Sequence, residues 1–395
     1  MAVNERTLQT LFGDMVRWRR HLHRHPELSF RERQTSDMIA GLLEEWGLEV
    51  RRGVAGTGVV ARLEGALPGR TIALRADIDA LPIQDEKDES CEYRSTVDGV
   101  MHACGHDGHT AQLLAVARYY SLHAAETAGT RVFLFQPGEE VLPGGAIRMI
   151  EDGALEGVDA IYGVHLWSPM PLGTAATRPG PFMATPDEYE IEVIGRGGHG
   201  GLPHECKDAL VVGASIVVAL QTVVARSVNP LDAAVLSVGR FSAGTGTANN
   251  VIAPTSKLAG TVRSFNNESR SLLRRRLEEI VKHTCEMHGC EYSFRYIDGY
   301  PPVVNDAKEA ARVLRLISET LPGANAEPCE RIMAGEDFSY YLEKRPGCFF
   351  FVGAGDAGGA SAPHHHPRFD IEEEAMLNAA RLLVAVADDS ALDAG

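Results

Sequence analysis

A chain of 395 residues that is 44% hydrophobic and 23% charged reads as a globular protein too long for one ordinary core, and roughly two domains are expected at ~100–200 residues each. Its net charge of −16 repels phosphate, which argues against nucleic acid or an anionic membrane as partner and favours a small-molecule substrate. The seven cysteines are odd in number and scattered, the N-terminus carries no apolar secretory segment, and no uncharged run approaches the ~18 residues that span a bilayer; a cytoplasmic location is expected.

Leu8, Leu11, Phe12, Met15 and Trp18 recur at helical spacing, and Ile39, Leu42, Leu43 and Trp46 predict a second helix. His21, His23 and His25 read as surface histidines at a helix end. Apolar runs at 58–63, 71–76, 131–136 and 159–165 predict strands of a buried, largely parallel sheet, with a helix over 107–122. Polar residues gather at the strand ends: Asp77 and Asp79, then Glu139 and Glu140, then His165. Ligands bind at the carboxyl ends of strands in open α/β sheets, so the spacing predicts a site there.

From about Pro186 the pattern changes. Strands at 189–193, 233–241, 257–265 and 291–297 and helices at 209–228 and 268–288 give the order β-α-β-β-α-β, a split-βαβ (ferredoxin-like) insertion. A strand at 348–352 and a helix at 372–387 resume the first pattern. The fold class is α/β, with a mixed, largely parallel-sheet domain formed by 1–185 and 299–395 around an inserted domain at 186–298.

Cys104 and His106 place a thiolate and an imidazole on one loop. Glu139-Glu140 follow an apolar strand, where two unpaired carboxylates sit poorly unless one holds metal and the other moves protons. His165 and one of His364, His365 and His366 complete a dispersed ligand set. Asp77 and Asp79 suit either orienting those imidazoles or pairing elsewhere. Gly195-Arg196-Gly197-Gly198-His199-Gly200-Gly201 lacks the lysine of a phosphate loop and reads as a flexible turn presenting His199. By pattern alone Asn250 and Arg263 are ordinary loop and strand residues, and the 335–339 loop has no assigned role.

Together, His102-Ala103-Cys104-Gly105-His106-Asp107, Gly138-Glu139-Glu140, Gly198-His199-Gly200, Gly335-Glu336-Asp337-Phe338 and His365-His366-Pro367-Arg368-Phe369-Asp370 resemble the M20 metallopeptidase superfamily. Within it they are similar to the aminoacylase, hippurate hydrolase and auxin-conjugate amidohydrolase subgroup. The resemblance implies a catalytic domain with two divalent ions (Mn, Zn, Co or Ni) and an inserted lid that forms a homodimer. It implies metal ligation by Cys104, His106, Glu140, His165 and His365, with Glu139 as general base, His199 as the lid histidine, and Asn250 and Arg263 holding the substrate carboxylate. The activity so implied is hydrolysis of N-acyl amino acids. A dipeptidase or carboxypeptidase using the same centre is a second reading, and a catalytically silent conjugate-binding protein a third.

Overall fold

The computed structural model describes residues 4–244, 248–321, 324, 328–356 and 361–393. The backbone divides into two compact units, one of Met1–Phe182, Val304–Glu330 and Asp337–Gly395, the other of Met183–Val303 and Arg331–Glu336. The larger unit opens with α1 (Glu5–Arg24), capped by the Asn4 side chain, which accepts the Thr7 N–H; Leu8, Leu11, Met15 and Leu22 form its buried stripe. Next come α2 (Arg33–Glu45), β1 (Glu49–Val54), β2 (Gly58–Glu64), β3 (Leu67–Asp77), α3 (His106–Leu122), β4 (Ala128–Gln136) and β5 (Ala160–Pro171). His165 was expected to close its strand, but β5 runs on to Pro171 because residues 166–171 pair with the strand beside them.

The second unit contains β6 (Asp187–Ile194), α4 (Ala209–Ser227), β7 (Ala234–Ala243), β8 (Thr255–Ser264), α5 (Asn267–Met287) and β9 (Glu291–Ile297). Its four strands form an antiparallel sheet in the order β7-β8-β6-β9, the split-βαβ arrangement. Tyr189, Ile191 and Val193 alternate into a core with Val212, Ile216 and Leu220 of α4 and Leu273, Leu277 and Val281 of α5. Glu190 and Glu192, on the other face, pair with Arg240, Arg295 and Lys257. One expectation fails here: α4 is long and apolar enough to cross a membrane by length and composition. Ser215, Gln221 and Thr222 interrupt the run without charging it, and one face of the helix lies on the sheet.

The chain completes the larger unit with α6 (Ala307–Thr320), β10 (Gly347–Gly355) and α7 (Glu374–Ala391). The seven-stranded sheet has the order β1-β2-β4-β3-β5-β10, with the short strand Ala175–Ala176 at the far edge. Its centre is parallel and its margins antiparallel. Every residue of β4 and β10 is buried, as expected of strands covered on both faces. Helix α3 lies against β3, β4 and β5 between α1 and α7, which explains its almost wholly buried sequence.

Beneath α3 sits an ion network. Fully buried Arg19 donates to Asp107 at 2.9 Å and also reaches Asp370 and Glu373; His23 bonds the same Asp107 oxygen at 2.8 Å. His23 is thus no surface histidine, although its neighbours His21 and His25 are exposed.

Candidate metal centre

Cys104 ends the loop before α3. Gly105, at φ 89°, turns the chain into the helix so that Cys104 and His106 converge. Glu139 and Glu140 follow β4, His165 lies within β5, and His365 comes from the loop before α7. His365 is held at φ 64°, an uncommon conformation for a side-chain-bearing residue, and its N–H bonds Ala103 C=O at 2.8 Å, tying it to the Cys104 loop.

The ligand atoms of Cys104, His106 and His165 all lie within 4.8 Å of one another, and so do those of Cys104, Glu140 and His365. Cys104 belongs to both groups, so the cluster has the geometry of a dinuclear site that would draw on Cys104 from either half. Its Sγ is 3.5 Å from His165 Nε2, and Glu140 Oε1 is 3.3 Å from His365 Nε2 and 3.9 Å from His106 Nε2. Glu139 stands within the same reach of His106 and Glu140. All six unit-one residues singled out from the sequence are therefore brought together.

A second ring orients these groups. His106 Nδ1–H donates to the Asp79 carbonyl at 3.0 Å, and His165 Nδ1–H to the Leu166 carbonyl at 2.9 Å. Carbonyls only accept, so Nδ1 is the donor in both rings and Nε2 is the nitrogen turned to the cluster, where it can ligate once it carries no proton. Asp77 takes His109 Nδ1–H at 2.6 Å, while Leu166 N–H donates to His109 Nε2 at 2.9 Å. His109 is thereby spent on positioning the backbone beside His165 and has no lone pair left for a metal. Asp79 thus orients the His106 imidazole, whereas Asp77 orients His109 and also pairs with Arg75, so it fills both expected roles.

The residues fit a pair of cations. His106 Nε2 and Glu140 Oε1 are shut from water with no hydrogen bond, which is costly unless something positive is bound between them. Burial lowers His106, yet Asp77, Asp79 and Glu140 outweigh it and lift the imidazole to about 10. Burial, with Glu140, Glu139 and Asp77, pushes the Cys104 thiol well up. The rise at His106, and the carboxylates' share of the rise at Cys104, express surplus negative charge, which a divalent cation would neutralise while stabilising the thiolate. Burial, with His109 and His364, keeps His165 neutral and so able to ligate.

In the histidine triple, His364 is half-buried, stacked on Trp167 at 4.5 Å, and accepts Ser168 N–H through Nε2; its Nδ1 lies 3.7 Å from Cys104 Sγ. His366 Nδ1 accepts Arg368 N–H. The 335–339 loop gains a role through Asp337, which accepts from Arg75 at 2.8 Å, from Gln136 and from Ala146 N–H. Arg75 also holds Asp77 at 2.6 Å. Sequence reasoning missed Arg75 and His109, although His109 lies one helical turn after His106.

In the second unit, His199 is exposed; its strand pairs with Val251, and its Nδ1 accepts Gly201 N–H at 3.0 Å. Asn250 adjoins it, its carbonyl accepting Gly200 N–H at 2.7 Å. Arg263, on β8, is half-buried with Nη1 shut from water and without a hydrogen bond.

Residues 73–389 match Peptidase family M20/M25/M40. The chain is 47% identical over 302 residues to the N-acyl-L-amino acid amidohydrolase of Geobacillus stearothermophilus, covering 76% of this chain and 80% of that protein. It is 38% identical over 367 residues to thermostable carboxypeptidase 1 of Saccharolobus solfataricus, covering 92% and 91%. The crystal structure of the Bacillus subtilis YXEP protein, a dinuclear metal binding peptidase from the M20 family, superposes with a TM-score of 0.81 at 34% identity over 96% of this chain and 98% of that one.

Proposed function

Given that the chain belongs to Peptidase family M20/M25/M40, we propose that it is a cytoplasmic amidohydrolase that splits N-acyl amino acids into a carboxylic acid and a free amino acid. The observation that carries this reading is Cys104 standing in two ligand groups at once, with His106 Nε2 and Glu140 Oε1 buried and unbonded beside it. Cys104, His106, Glu140, His165 and His365 would hold two divalent ions, Mn, Zn, Co or Ni. When bound, such a pair polarises a carbonyl and lowers the pKa of water from 15.7 toward about 7.

The remaining work falls to the chain. Glu139 takes the proton from the attacking water and passes it to the departing amine, so a single carboxylate serves both halves of the reaction. We assign oxyanion stabilisation to His199 and the substrate's carboxylate to Asn250 and Arg263. The unbonded Nη1 of Arg263 supports this, because a buried guanidinium nitrogen is favoured by an anionic partner.

Likeness to a carboxypeptidase favours peptide cleavage as the second reading. A panel of benzoyl-glycine, acetyl-amino acids and dipeptides, run on metal-stripped protein reloaded with each ion, separates the two. N-acyl amino acids are expected to give kcat/KM values at least tenfold above dipeptides with the best ion. Equal or better rates on dipeptides would move the assignment to a peptidase.

We also assign a homodimer through the inserted unit. Leu210, Val211 and Val218 of α4 face solvent, Val218 at 71% exposure, and β7 is an edge of the sheet among the described residues. Light scattering is expected to show a dimer for the native protein and a monomer for Val218→Glu; a dimer in both would exclude this face.

A further inference from the structure

The backbone around Glu139 is pinned on both sides by buried carboxylates. Glu140 N–H donates to Asp79 Oδ2 at 3.0 Å, and Gly138 N–H donates to Glu32 Oε1, also at 3.0 Å. Asp79 already belongs to the metal centre. Glu32 does not, and it lies 106 residues from Gly138 in the chain.

Glu32 is fully buried and its hydrogen bonds are directed. Oε1 also accepts Phe30 N–H at 2.8 Å, and Oε2 accepts the Thr57 hydroxyl at 2.5 Å. These bonds keep Phe30 at φ 61° and lay its ring over Gly138, with the Arg148 guanidinium 4.2 Å from the ring's centre. A Cβ at Gly138 would come within 2.4 Å of that ring, so the loop approaches Phe30 as closely as glycine permits. The preceding residues are anchored to the end of β3: Ala80 N–H donates to Glu27 C=O at 2.9 Å, and Ser29 donates to Asp79 at 2.6 Å. The segment 27–32 thus spans from the Asp79 side of the loop to its Gly138 side.

We propose that Glu32 is a positioning residue that, through Gly138 N–H and the Phe30 ring, fixes the direction of the Glu139 carboxylate. This rests on the amidohydrolase reading in which Glu139 is the base. Glu32 belongs to none of the ligand groups of the candidate metal centre. Burial and the nearby Asp79 charge push its carboxyl up to about 7. A proton on Oε2 would be donated to Thr57, leaving Oε1 as the acceptor for both N–H groups. Glutamine reproduces that arrangement and alanine does not.

Two full-length variants test the proposal, with metal content, steady-state kinetics and hydrogen exchange of the metal-free protein measured on each. Glu32→Ala is expected to bind two ions, keep its KM, and lose about 10²-fold in kcat, the scale of a misplaced reacting group. Amides 138–140 should exchange faster while the interior of β4 is unchanged. Glu32→Gln should restore kcat to within about fivefold of the native enzyme, since the oriented acceptor is retained. The proposal is overturned by unchanged exchange at 138–140, by a glutamine variant no better than alanine, or by loss of kcat only in step with loss of metal. If the native protein hydrolyses nothing on the panel while Glu32→Ala still frees those amides, the amidohydrolase reading fails and the pinning of the loop stands.

Discussion

Glu139→Gln is expected to retain two ions per chain and to lose about 10²–10⁴-fold in kcat, the contribution of a placed general acid–base. The substitution preserves volume, so the fold around the buried loop should persist. What it removes is a group able to take a proton and return it. Glu140→Ala provides the contrast: its Oε1 is the oxygen shared between His365 Nε2 at 3.3 Å and His106 Nε2 at 3.9 Å, and removing it should cost metal together with activity. Metal analysis and initial rates on the same preparations decide the matter. Turnover within tenfold of native in Glu139→Gln would strip the residue of its role, and full metal content in Glu140→Ala would exclude that carboxylate as a ligand.

The second large effect is on stability. Asp107→Ala should destabilise the protein by about 3–5 kcal/mol, because it leaves Arg19 and His23 buried without the carboxylate they share. Burial pushes the Asp107 carboxyl up, but Arg19 and His23 outweigh it and hold the group well below the ordinary range. The sign follows from proton uptake. An unfolded aspartate takes its proton near 3.9, the folded one only at lower pH, so the contribution is full above about pH 4 and is lost as the pH falls through the folded value. Urea unfolding of metal-free protein should therefore show a gap between native and variant that is constant at neutral pH and narrows under acid. A gap below about 1 kcal/mol at pH 7 would mean that Asp370 and Glu373 suffice for Arg19.

Much of this molecule could be read from residue spacing, and the parts that could not share a cause. Cys104-Gly105-His106 and Glu139-Glu140 announce themselves because ligands adjacent in sequence are adjacent in space, and the order of the inserted elements follows from the change of period between strand and helix. The misreading of His23 is geometric: residues two apart on a helix point in nearly opposite directions, so His23 faces the core while His21 and His25, four apart, share the outer face with rings 4.9 Å apart. Strand β1, with Glu49, Arg51 and Arg52 exposed at the sheet edge, carries too little apolar signal to be seen. Arg75 was invisible for another reason: its partner Asp337 lies 262 residues away, and only the folded sheet makes them neighbours.

The route of the polypeptide through its two units has a consequence for biosynthesis. The stretch Met183–Val303 is continuous and holds all four strands of its own sheet, so that sheet can form while the chain is still attached to the ribosome, with Arg331–Glu336 joining the unit later. The seven-stranded sheet must wait for β10, which fills the gap between β5 and the edge strand, and His365 emerges later still. At roughly 5–20 residues per second, those closing residues trail the inserted unit by several seconds or more. His365 therefore joins Cys104, His106, Glu140 and His165 only after the inserted stretch has been made, so the five side chains cannot gather into one cluster while that stretch is still being synthesised.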